Sequence, residues 1–85
     1  MTGNGRYLQD VGEKELGEQI LKAIDSLSKK HREIIILREV EGLSYEELAK
    51  VLRISKGTVM SRLFHARQNL QSILSRYLET EGDAR

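Results

Sequence analysis

Phe64, Ser61 and His65 fall within about one helical turn of each other, in a stretch that also carries Lys56, Arg62 and Arg67 and no carboxylate. An aromatic ring, a hydroxyl and an imidazole side by side can touch thymine methyls and hydrogen-bond to base edges, while flanking cations neutralise phosphates. This is the chemistry of recognition, not of bond breaking. No carboxylate, histidine and serine are placed by the sequence as a nucleophilic set. Gly3 and Gly5 lie in a polar segment with no strand before them, so they make no phosphate-cradling loop. Cysteine is absent, and His31 and His65 are isolated, which leaves no metal-ligating set. The chain is therefore read as a non-enzyme with no cofactor and no small-molecule substrate.

The elements that must position these residues lie in residues 42–70, GLSYEELAKVLRISKGTVMSRLFHARQNL. Ser44 is a good N-cap and Glu47 stands three residues on, a capping box. Leu48, Ala49 and Leu52 share one face of the helix that follows, with Ala49 small where a second helix must cross closely. Ile54 is an apolar plug in the turn, and Ser55 caps the next helix. Val59, Leu63, Ala66 and Leu70 make that helix's buried stripe. Two capped helices at this offset predict a helix-turn-helix whose second helix enters the major groove.

Stepping about 100° per residue from Val59 puts Gly57, Ser61, Phe64, His65 and Gln68 roughly 120° or more from the core face. Phe64 stands about 140° away, where packing does not put an aromatic ring. Its alternative reading is a lone exposed apolar residue. His65 can donate to guanine or to phosphate, or be idle at the surface. Arg62 and Arg67 flank the reading face, where they grip phosphates or pair with acids such as Glu46. Lys56 and Thr58 open the second helix, where free N–H groups favour phosphate. Ser44 and Tyr45, opening the first, are similar candidates, although capping alone accounts equally well for Ser44.

The 85 residues suffice for one domain with a modest core. No apolar run approaches the roughly 20 residues of a membrane span, and no signal-peptide pattern is present, so a soluble, cytoplasmic protein is expected. The formal net charge of +1 conceals an asymmetry. Residues 1–52 sum to −2, residues 53–78 to +5 with no acid, and residues 79–85 to −2. A basic block that coincides with a helix-turn-helix points to a nucleic-acid surface, whereas alone it would read as a solvated helix face.

Apolar residues recur at helical spacing and proline is absent, so the fold is predicted to be all-α with four helices. The first spans about 11–27, with Leu16, Ile20, Ala23, Ile24 and Leu27 on one face. The second follows Ser28 as N-cap and stops near Glu41 with Gly42 beyond it. Ile34, Ile35, Ile36, Leu37 and Val40 make it apolar around much of its circumference, as expected of a central helix. The third runs over about 45–52 and the fourth over about 56–78, with Ile73, Leu74, Tyr77 and Leu78 set to pack on the first. Residues 1–10 read as a flexible N-terminal segment or linker end, 11–79 as the domain, and 80–85 as a disordered tail. His31 is read as a surface residue.

Residues 27–70, LSKKHREIIILREVEGLSYEELAKVLRISKGTVMSRLFHARQNL, resemble domain four of the sigma-70 family of bacterial RNA polymerase sigma factors, and most closely the extracytoplasmic-function group. The segments EGLSYEELA and ISKGTVMSRLFHAR carry the likeness. The resemblance implies that the last helix reads the minus-35 promoter element. It implies base contacts at Met60, Ser61, Phe64 and His65. It also implies that the earlier helices dock on the flap of the polymerase β subunit, a surface that an anti-sigma factor covers in many members. The domain two of such factors has no counterpart here, so a fragment or a separate domain-four-like protein is expected.

Two positions depart from the family pattern. Ser28 stands where proline is usual and remains an N-cap. Arg53 stands where glycine is usual in the turn. In a left-handed conformation it would bear strain of order 1 kcal/mol, in exchange for a phosphate contact. Two other functions compete. A LuxR-type response-regulator output domain has a similar helical layout, but with a lysine after the valine of its recognition helix and a histidine two residues later. The other is a polymerase or anti-sigma interaction module that never binds DNA alone.

Overall fold

The computed structural model describes the backbone of residues 15–83 and the side chains of residues 15–77. The expected N-terminal segment, the first turn of the first helix and the side chain of Leu78 lie outside them. Among the described residues four α-helices are present: α1 over residues 15–25, α2 over Lys29–Ile35, α3 over Tyr45–Leu52 and α4 over Lys56–Asp83. The fold is all-α.

Helix α1 ends in a tightened turn in which Leu27 N–H donates to the Ile24 carbonyl (3.1 Å). The carbonyls of Asp25 and Leu27, orphaned by the helix end, accept from Arg32 Nη1 at 3.1 and 3.2 Å, which ties α1 to α2. Ala23, Ile24 and Leu27 are buried and Ile20 packs against the core, as the periodicity predicts. Leu16 departs from it: 49% of its surface is exposed, because it stands a full turn above Ile20, where the core tapers off.

Ser28 caps α2 by accepting from the His31 N–H (3.3 Å). Ile34 and Ile35 are fully buried at the centre of the molecule. Beyond them the chain widens into a π-helical segment, Ile36–Val40, in which Glu41 N–H reaches back five residues to the Ile36 carbonyl (3.0 Å). The extra residue in this turn breaks the 100° phase on which the expected apolar circumference rests. Val40, expected inside, is 67% exposed, and Leu37 is only half-buried. Gly42 at φ +80° then stops the segment, and Leu43 N–H returns to the Leu37 carbonyl (3.1 Å). This is a left-handed helix stop of the glycine kind.

The capping box of α3 is complete. Glu47 N–H donates to Ser44 Oγ (3.1 Å), and Ser44 N–H donates to Glu47 Oε1 (2.8 Å). Helix α3 ends on Arg53 at φ 58°, ψ 47°, the left-handed conformation in which glycine was the expected residue. Ile54 N–H closes the motif on the Ala49 carbonyl (3.1 Å), and the Ile54 side chain packs against the core as the turn's plug. Ser55 caps α4 by accepting from the Thr58 N–H (3.0 Å).

The core joins Ile24 and Leu27, Ile34 and Ile35 of α2, Leu48 of α3, and Val59, Leu63 and Ala66 of α4. Ala49, Leu52, Leu70 and Ile73 close around it. Among the described residues no polar or charged side chain is buried, so the electrostatics of the domain lie on its surface. Helix α4 runs to Asp83, past the expected end near Leu78 and into the tail expected to be disordered. Nothing between Glu79 and Glu81 interrupts a helix, and a single glycine at 82 does not suffice to stop one. Among the described residues, no helix is long and apolar enough to cross a membrane.

Candidate nucleic-acid interface

Helix α4 separates its faces as the 100° step predicts. Val59, Leu63 and Ala66 are fully buried, whereas Met60 is 54% and Phe64 58% exposed. Gly57, Ser61, His65 and Gln68 are exposed with them. Gly57, Met60, Ser61, Phe64, His65 and Gln68 thus form one outward stripe without a charged member. Its side chains are held from within the helix. Ser61 Oγ donates to the Thr58 carbonyl (3.3 Å), which leaves its lone pairs to the outside. His65 Nδ1 lies 3.0 Å from the Ser61 carbonyl, and the Phe64 and His65 rings meet edge to face with centroids 5.4 Å apart. That contact places a large ring outside the core without leaving it loose.

The cations around the stripe divide into two sets. Arg53 is exposed and Arg62 half-buried, and among the described residues neither is engaged in an ion pair or hydrogen bond. Lys56 and Arg67 are engaged. Lys56 Nζ donates to Glu46 Oε2 (2.8 Å), and the Lys56 ammonium holds the Glu46 carboxyl below its ordinary range. Arg67 donates through Nε and Nη2 to a single oxygen, Glu39 Oε2, at 3.0 and 2.6 Å, which raises the guanidinium's affinity for its proton. Glu46 therefore pairs with Lys56, and not with Arg62 or Arg67 as the sequence suggested. The acid that meets Arg67 stands in the π-helical segment, 28 residues away. Both pairs are solvent-exposed and contribute little to stability.

The N-termini of α3 and α4 come together in one shallow cleft lined by Ser44, Tyr45, Glu46, Lys56 and Arg38. Three of the residues expected at phosphate, drawn from two separate segments, meet here. Arg38 is the member that sequence reasoning missed. Its guanidinium lies 5.0 Å from the centre of the Tyr45 ring, and Nη1 donates to the Leu43 carbonyl (2.6 Å). Only the pairing of Arg with an aromatic seven residues on could have hinted at it. The capping role of Ser44 is realised, and Thr58 gives its N–H to Ser55 and holds its hydroxyl 2.9 Å from Ser55 Oγ. His31 is not a free surface residue. Its Nδ1 accepts from the Asn69 side-chain amide (3.1 Å) and so ties α2 to α4.

Two apolar clefts lie elsewhere. One is lined by Leu21, Ile24 and Ile36, with Lys22, Asp25 and Arg32 at its rim. The other is lined by Ile20, Ile35, Leu70 and Leu74, beside the Glu39–Arg67 pair. Leu74 and Ile20 of α1 thus line one cleft.

Residues 17–70 match the family model described as sigma-70, region 4. The chain is 38% identical over 65 residues to the ECF RNA polymerase sigma factor SigE of Mycolicibacterium smegmatis, covering 76% of this chain and 25% of that protein. It is 42% identical over 59 residues to the ECF RNA polymerase sigma-E factors of Salmonella typhimurium and Escherichia coli, covering 69% of this chain and 31% of theirs. The chain thus spans between a quarter and a third of the length of these relatives. The match leaves no ground for the LuxR-type reading, and the chain belongs to the sigma-70 region 4 family.

Proposed function

We propose that this chain is the promoter-reading domain of an extracytoplasmic-function sigma factor. In this reading α4 lies in the major groove at the minus-35 element. Met60, Ser61, Phe64 and His65 face base edges, and Ser44, Tyr45, Arg53, Lys56, Thr58, Arg62 and Arg67 face the phosphates on either side. The observation that carries the reading is the exposed stripe on α4. Its large apolar members, Phe64 and Met60, stand outside the core on the helix that also carries the acid-free basic block. Polymerase docks elsewhere, on the cleft of Leu21, Ile24 and Ile36, where the apolar surplus of α1 and α2 reaches the surface. The same cleft is the surface for an anti-sigma factor.

The test is a pair of titrations with Phe64→Ala, one against a duplex carrying a minus-35 element and one against the polymerase flap. Discrimination between promoter and scrambled duplex falls by about 1–3 kcal/mol, the worth of one base contact, while flap binding survives. Loss of both would make Phe64 a folding residue. Wild-type protein that binds the flap but shows no salt-dependent duplex binding would leave an interaction module instead.

A further inference from the structure

We infer that His65 selects its base pair by an exocyclic amine, adenine N6 or cytosine N4, because the structure turns a hydrogen-bond acceptor outward at this position. The inference rests on the major-groove reading above. His65 Nδ1 lies 3.0 Å from the backbone carbonyl of Ser61. A carbonyl oxygen only accepts, so Nδ1 carries the proton. In the neutral ring Nε2 then holds a lone pair, and no described residue bonds to it. The ring is kept in place at two points, by this hydrogen bond and by the edge-to-face contact with Phe64 at 80°.

The remainder of the stripe agrees in chemistry. It has no lysine or arginine, the side chains that donate to the O6 and N7 acceptors of guanine. Phe64 and Met60 offer apolar surface to a thymine methyl, and the Gln68 amide matches adenine N6 and N7. Nearby cations either pair with Glu39 and Glu46 or flank the stripe without entering it. His65 therefore accepts where a cation at the same place would donate, in contrast to the guanine donation that is one of the roles open to it from the sequence.

The experiment is a duplex panel, measured at about pH 8, in which each adenine of the bound site in turn is replaced by the purine lacking the 6-amino group, and each cytosine by its analogue lacking the 4-amino group. Each duplex is titrated with the wild-type chain, with His65→Ala and with His65→Lys. At one step, amine removal weakens wild-type binding about five- to a hundredfold and leaves His65→Ala unmoved, while His65→Lys comes to prefer guanine there. The inference is overturned if no amine deletion separates wild type from His65→Ala, or if wild type prefers guanine at the step that His65→Ala disturbs. In both cases the wild type still binds the unmodified duplex in a salt-dependent way, so the promoter reading stands. Absence of such binding would remove that reading and this inference together.

Discussion

Arg53→Gly should stabilise the protein. Arg53 sits at φ 58°, ψ 47°, where a Cβ crowds the following carbonyl and costs about 1–2 kcal/mol relative to the right-handed region. Glycine does not bear this cost, but it enlarges the conformational freedom of the unfolded chain, which offsets about 0.4–1 kcal/mol. The arginine side chain has no ion pair or hydrogen bond among the described residues, so its removal breaks nothing in the folded state. The difference is about 0.5–1 kcal/mol in favour of glycine. For a domain of this size that raises Tm by about 2–8 °C. Thermal unfolding followed by far-ultraviolet circular dichroism measures it, with Arg53→Ala as the control that removes the charge and keeps the Cβ. Alanine should leave Tm close to wild type. Equal shifts in the two variants would place the effect in the charge, and a lower Tm in Arg53→Gly would refute the strain argument. The same two proteins separate structure from binding. If Arg53 holds a phosphate, both lose affinity for duplex equally, and the slope of log K against log salt falls by about one.

Ile35→Ala removes a fully buried side chain and should cost about 2–5 kcal/mol, against a total near 4–13 kcal/mol for a chain of this length; Leu37→Ala, half-buried in the π-helical segment, should cost less in the same urea titration. Arg62→Ala should lower the salt slope of duplex binding by about one, and Arg67→Ala by less, because Arg67 must first leave Glu39; equal effects would show that the Glu39 pair does not compete with DNA. Glu46→Gln should strengthen duplex binding at low salt by freeing Lys56, and weaker binding would mean that the pair positions Lys56 for phosphate. The folded-state pKa of Glu46 is lowered, so whatever stability the pair contributes is present above the ordinary glutamate range near about 4.3 and is lost as pH falls through the lowered value. The Tm difference between wild type and Glu46→Gln should therefore vanish in acid, and a difference that grows there would reverse the sign of this linkage.

Most of the local structure of the candidate interface was legible because it is written in local patterns. Ser44 and Glu47, three residues apart, specify a capping box whose two hydrogen bonds are both present. Val59, Leu63 and Ala66 recur at helical spacing and are buried, which puts Phe64 outside by subtraction. Arg53 could be flagged because the turn geometry demands a left-handed residue and the family pattern puts glycine there. Each of these depends on residues within a turn or two of one another, and the backbone between them has few alternatives.

What was not legible depends on a residue count that composition does not reveal. The inward phase of Val40 assumes four residues back to Ile36 at 100° each, but the structure spans that turn with a bond over five. The same widening occurs in the segment that carries Glu39, whose carboxylate takes both donors of Arg67. With the phase uncertain after Ile36, no spacing argument could choose Glu39 over Glu41 or Glu46 as the partner. In the proposed reading the ion pair bears on binding, because it sets which cations would reach DNA unopposed. Among the described residues, two cations beside the stripe make no ion pair or hydrogen bond and two are held by carboxylates on other helices. If only Arg53 and Arg62 meet phosphates, the salt slope of binding is about −1.8, and if Lys56 and Arg67 exchange their carboxylates for phosphates it approaches about −3.6. In the proposed reading, the base-facing stripe of α4 is thus specified by that helix's own sequence, whereas the cations free to meet phosphate are set by acids on α3 and the π-helical segment.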